Sequence, residues 1–164
     1  MKKRYLVIGL GIVTGILAWY WFRPELLFIN ARVDERPPET GQRGEVLVLG
    51  QGRFHGVAHE SAGTATIHQL AGGRRVLRFT EFTTSNGPVL HVYLIAADDA
   101  SDSATVSRVD TADLGQLKGN AGDQNYELPA DVDLAKYRAV TVWCQRFSVN
   151  FATAPLTMPA SRPT

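Results

Sequence analysis

The chain holds a single cysteine, Cys144, in 164 residues. One thiol cannot form an intrachain disulfide, so a packed core must hold the fold. The Cys-x-x-Cys-His signature is missing, which excludes covalently attached c-type haem. Charge of either sign is not in excess: the net charge is +1, and no basic field marks a nucleic-acid partner. No Gly-x-Ser-x-Gly elbow or Ser-His-Asp order is present. The spacings usual for paired zinc ligands are also absent. His55 and His59 are four apart, but the stretch 52–63 does not read as helix, so they do not share a face. Asp98, Asp99, Asp102 and Asp110 lack the spacing of an ordered calcium loop and read as a solvated loop. No metal site is expected.

What is present begins with an apolar N-terminus. Lys2, Lys3 and Arg4 precede an uncharged run from Tyr5 to Phe22. As a helix its 18 residues would extend about 27 Å, close to a hydrocarbon core of about 30 Å. Trp19, Tyr20, Trp21 and Phe22 gather at the far end, where aromatic rings favour a membrane interface. Ala18 is followed by bulky aromatics rather than by a small-residue cleavage site. The reading is an uncleaved signal anchor over 1–24, with the N-terminus in the cytoplasm and the remainder extracytoplasmic. Arg23, Arg32 and Arg36 balance the basic count, so orientation rests on the short N-terminal tail and on the ease with which long segments translocate. Gly9, Gly11 and Gly15 imitate a dinucleotide fingerprint, but they lie inside the apolar run rather than in a βαβ unit. Gly11 and Gly15, four apart, suit weak self-association of membrane helices.

Residues 25–44 carry Pro37, Pro38 and charges without periodicity and read as a juxtamembrane linker. A globular domain is expected over 45–156, followed by a disordered tail over 157–164. Within the domain, short runs read as strands: Glu45 to Leu49, Gly63 to Leu70, Arg75 to Phe82, Val89 to Ile95, Gln124 to Leu128 and Val140 to Phe151. Gly72 and Gly73 supply the positive φ of a hairpin turn, and Ser85 to Pro88 turns again. Leu90, Val92 and Leu94 share one face, with His91 and Tyr93 on the other. Asp98 to Asp113 reads as a long loop, and Asp131 to Tyr137 as one helical turn at most. The fold class that follows is all-β, an antiparallel β-sandwich preceded by one N-terminal transmembrane helix.

Val140, Val142 and Cys144 share one parity, but Phe147, Val149 and Phe151 have the other. One extra residue near Gln145 and Arg146, a β-bulge, would restore inward pointing and set Cys144 beside a kink. Trp143 then faces away from the sulfur. Cys144 is either an inert core residue, since free cysteine packs as a small hydrophobe, or a redox or ligand thiol. Arg146 would stabilise a thiolate if its guanidinium reached back to the sulfur. His68 reads as a solvated strand residue, and His91 as partly exposed.

Several stretches resemble a known family. They are Gly52-Arg-Phe-His-Gly, His59-Glu-Ser-Ala-Gly63-Thr-Ala, Val76-Leu-Arg-Phe79, Phe82-Thr-Thr-Ser-Asn-Gly87-Pro-Val-Leu-His-Val-Tyr-Leu94, Leu114 to Pro129 with Leu-Lys-Gly-Asn, and Tyr137 to Phe151 with Val-Trp-Cys. In this order they resemble the DM13 domain, from about residue 45 to 156. The resemblance implies a β-rich extracytoplasmic domain with a proposed electron-transfer role. It places Cys144 at the family's cysteine, as a free thiol or a non-covalent haem ligand, and His59 at the histidine before the Gly-Thr-Ala strand; in a redox module His59 or His91 is the assisting candidate. Val89 stands where members often carry Asp, which removes a carboxylate. Beside a regulator whose exposed thiol forms an intermolecular disulfide, two main functions remain open. One is a membrane-anchored redox module with a redox partner protein, the other a non-enzymatic envelope binding module with a structural cysteine. Neither is a turnover catalyst. No cofactor is fixed by the residues.

Overall fold

A computed structural model describes residues 2–22, 30–38 and 46–159. Helix α1 spans Lys2–Phe22. The strands are β1 (Arg32–Asp34), β2 (Leu47–Arg53), β3 (His55–Gly56), β4 (Ala62–Gln69), β5 (Arg75–Thr83), β6 (Leu90–Ile95), β7 (Thr111–Gln116), β8 (Ala121–Leu128), β9 (Ala139–Cys144) and β10 (Val149–Pro155), with helix α2 (Ser103–Arg108) between β6 and β7. They form two five-stranded sheets, ordered β1-β8-β5-β4-β2 and β3-β10-β9-β6-β7. The expected all-β sandwich is therefore present, with one departure: β1 pairs with β8 in parallel.

The core lies between the sheets. Ile67, Leu77, Phe79 and Phe82 of the first sheet face Val92, Leu94, Val140 and Val142 of the second, all with no measurable exposure. Each such side chain contributes about 1.5–3 kcal/mol by leaving water. Phe54 meets Phe79 and Phe82 edge to face at 4.8 and 4.9 Å between ring centroids, and Phe79 and Phe82 meet tilted at 5.0 Å. The turn 71–74 forms as expected, with Gly72 and Gly73 at φ of 80° and 83°. Strand β6 alternates as read: Leu90, Val92 and Leu94 are buried, His91 and Tyr93 half-buried.

Four readings of the sequence are revised. Val140 to Phe151 is not one bulged strand. The chain reverses over 145–148, so the change of parity marks a hairpin between β9 and β10, with Ser148 at φ 52°. A register shift does occur, but farther on, between Asn150 and Ala152. The acidic loop holds α2, capped by Asp102 whose carboxylate accepts from the Thr105 amide at 2.6 Å, and then β7. The linker contributes β1, while its residues 25–29 and 39–44 lie outside the described residues. The tail starts in the sheet, because Thr157 exchanges backbone bonds with Gln51 at 2.8 and 3.0 Å; residues 160–164 lie outside the described residues.

Among the described residues no helix is long and apolar enough to cross a membrane. The expected span draws on positions 6, 7, 21 and 22, whose side chains lie outside the described residues.

Short segments cover parts of both sheets. Residues 30–38 act as a strap along β8. Glu35 receives the Lys118 ammonium at 2.7 Å and the Asn125 amide at 2.6 Å, and its carbonyl accepts from Arg78 at 3.1 Å. Arg78, itself 7% exposed, pairs with Asp123. The strap requires glycine at 119 and 122: a Cβ there would collide with the carbonyls of Ala31 and Val33, and Gly122 has φ 97°. On the other sheet, Val106 of α2 packs with Ile95, Ala100, Ala139 and Trp143. Beneath it Asn150 donates to the Ala100 carbonyl and to Thr153 Oγ1, while its Oδ1 lies 2.6 Å from the Thr141 hydroxyl.

Candidate functional site

Cys144 ends β9, at the edge of the hairpin. Its side chain faces the interior core, and Trp143 faces the outer cluster, as parity requires. The sulfur is fully buried, and its thiol donates to the Pro88 carbonyl at 3.1 Å. Pro88 belongs to the turn leading into β6. The Gln145 amide donates to the Val89 carbonyl at 3.1 Å, joining that turn to the β9–β10 hairpin. Val89 has φ 55°, a costly conformation for a β-branched residue. Asn86, Gly87, Pro88 and Val89 thus form a roof whose carbonyl holds the thiol. Gly87 is needed in it, since a Cβ would stand 2.7 Å from the Phe151 ring.

His59 is brought to this end of the sandwich. Its ring lies against Phe151, with centroids 4.1 Å apart. Phe151 therefore touches His59 on one side and the roof at Gly87 on the other. His59 also lines an open cleft of about 880 Å³ with Ser61, Thr84 and Ser85. The Ser61 and Thr84 hydroxyls lie 2.8 Å apart. Cys144 is not among the residues lining it.

His91 is not brought to the sulfur. It stands on the outer face of its sheet, opposite Trp143, with Nδ1 within 2.9 Å of the Asp113 carboxylate. His68 is less solvated than its sequence suggests. Burial, and then the nearby Arg78 charge, hold its imidazole below the ordinary histidine pKa, and its buried Nδ1 has no hydrogen-bond partner. Sequence reasoning missed the pairing of His55 Nε2 with Asp99 at 2.7 Å, because those residues are 44 apart in the chain. It also missed Asn30, whose Oδ1 accepts from Asn86 at 2.9 Å and from Asn120 at 3.0 Å and so ties the roof to the strap. Among the described residues no three His, Cys, Asp or Glu side chains gather as a metal site.

A haem iron needs a ligand atom with an open axis and room for a flat macrocycle. Cys144 has neither: its sulfur is enclosed by core side chains and its proton is directed at Pro88. The residues do not fit Cys144 as an axial ligand.

The geometry defines a class, a small β-sandwich with one thiol sealed beneath a turn and a hydroxyl-lined cleft beside it. The chain belongs to the electron transfer DM13 family. The model described as "Electron transfer DM13" matches residues 53–156, from the end of β2 to just past β10. That membership supports a redox role in coarse terms. No curated protein and no solved structure matches the chain.

Proposed function

We propose that the protein is a membrane-anchored extracytoplasmic redox module whose working group is the Cys144 thiol, reached when the roof over it opens. The observation that carries this is the position of the sulfur: fully buried, yet held by a surface turn through the Pro88 carbonyl, with Val89 41% exposed on the outside. A lone thiol reacts with a partner disulfide by exchange. The thiolate attacks one sulfur, the S–S bond breaks, the other sulfur departs as thiolate, and a mixed disulfide remains. Burial keeps the thiol from wasteful oxidation until opening. His59 borders the path as an assisting residue, while His91 acts only through its own face of the sheet.

The anchor reading rests on the uncharged run from Tyr5 to Phe22, basic residues before it and aromatic residues at its end. Gly11 and Gly15 leave a bare helix surface for weak self-association; a Cβ at either would meet nothing within 4 Å.

A second reading has its own support. The complete burial of Cys144 suits a structural cysteine, and the cleft lined by His59, Ser61, Thr84 and Ser85 suits a non-enzymatic binding module. Thiol labelling of the native full-length protein in detergent separates the two. For the redox module, labelling of Cys144 in low urea proceeds at a rate independent of urea, because local opening exposes little surface. Labelling that rises with urea in step with global unfolding overturns it and leaves the binding module.

A further inference from the structure

We infer that the end of the sandwich carrying the Cys144 roof docks on the lipid bilayer surface through Phe147 and Val89. The inference rests on the membrane-anchor reading. Phe147, at the tip of the β9–β10 hairpin, is 60% exposed, and Val89, in the roof, is 41% exposed. The Gln145–Val89 backbone bond sets these two turns side by side. Apolar side chains presented together on neighbouring turns mark an interaction surface rather than scattered exposure.

The tether selects the occupant. Asn30 is bonded to Asn86 and Asn120, so the strap starts at this same end. Helix α1 stops at Phe22, and the intervening chain, even fully extended, reaches about 28 Å. The opposite end, at the turn Ala71–Gly73, is separated from it by β5, whose nine residues rise about 30 Å. With that opposite end on the bilayer, Asn30 would stand at or beyond the limit of the tether. With the roof end down, the tether is slack and the aromatic side chain of Phe147 meets the interface, where apolar groups enter the headgroup boundary. The far end carries its own exposed run, Val46, Leu47 and Val48, which gives the alternative orientation a surface to use.

The test uses the full chain in phosphatidylcholine vesicles, in a Cys144→Ser background. Single cysteines are introduced by Ser148→Cys, Ala71→Cys or Thr14→Cys and given an environment-sensitive fluorophore. Quenching is read with nitroxide lipids labelled near the headgroup or deep in the acyl chain. Docking predicts strong shallow quenching and a blue shift at 148, and neither at 71. It also predicts that adding Phe147→Asp brings the 148 signal down to the level at 71 while the circular dichroism is unchanged. Equal quenching at 148 and 71, or stronger quenching at 71, overturns the inference. The label at 14 reports the anchor independently. Without deep quenching there the anchor reading fails; docking then stands only if 148 remains quenched and is overturned if it does not.

Discussion

The two sheets are covered by short segments of opposite chemistry. The strap 30–38 is held to the first sheet by charged groups: the Lys118 ammonium on the Glu35 carboxylate, and the Arg78 guanidinium, itself paired with Asp123, on the Glu35 carbonyl. Helix α2 is seated on the second sheet by apolar packing and by neutral bonds around Asn150. Both seats satisfy buried polar groups, yet they respond to different variables. A seat built on charge weakens with salt and with protonation, whereas neutral amide and hydroxyl bonds do not titrate. The roof over Cys144 is tied to the charged side through Asn86 and Asn30.

The largest expected effect on this contrast comes from Asp123→Ala. It leaves Arg78, 7% exposed, without its carboxylate and costs about 3–5 kcal/mol in urea unfolding. The matching change on the neutral side, Asn150→Ala, removes partners from Thr141, Thr153 and the Ala100 carbonyl. It costs about 2–3 kcal/mol, and that loss does not vary between pH 5 and 8. A strong pH dependence of the Asn150 loss would erase the contrast. Gly122→Ala forces φ 97° on a side chain, at about 1–2 kcal/mol, and pushes against Val33. Hydrogen exchange should then speed at the Glu35 amide, which is bonded to the Asp123 carbonyl, and not at the α2 amides.

The smallest effect is the effect of acid. Burial keeps the folded His68 imidazole below its ordinary pKa. Its contribution to stability is complete above about 6.5 and is lost as pH falls below that, toward the folded value. His68→Gln removes this slope from pH-dependent unfolding. At lower pH the strap follows. Burial alone would raise the Glu35 pKa, but the bonds from Lys118 and the Asn125 amide, with the Lys118 and Arg78 charges, hold it below the usual carboxylate range. Strap stability is therefore present above the ordinary Glu pKa and lost as pH falls through the lowered one. Exchange at the Glu35 amide checks it. Asp102, whose bond to the Thr105 amide likewise lowers its pKa, loosens the first turn of α2 in the same acid range while the Asn150 seat holds.

Strands whose signals are local were legible: Gly72 and Gly73 announced their hairpin, and Leu90, Val92 and Leu94 announced their face. The β9–β10 hairpin was not, because its loop is Gln145-Arg-Phe-Ser148, without the glycine or asparagine that usually carries positive φ. The cap of α2 was visible in Asp102-Ser-Ala-Thr, but a six-residue helix gives too little periodicity to outweigh an acidic stretch. The strap was illegible because its place is set by Gly119 and Gly122, far along the chain. The same distance hid the state of the thiol. Cys144 stood out as a residue, but its burial depends on Pro88 and the roof, 56 positions earlier.

The parallel pairing of β1 also orders events in time. Arg32 finds its partner at Ala121, across 89 positions, on an edge that β8 presents once it has paired with β5. Closing so long a loop costs entropy before any contact repays it, so the strap docks after β8 has joined its own sheet. Until then β8 is an unpaired sheet edge, and the strap of one newly made chain can complete the sheet of its neighbour.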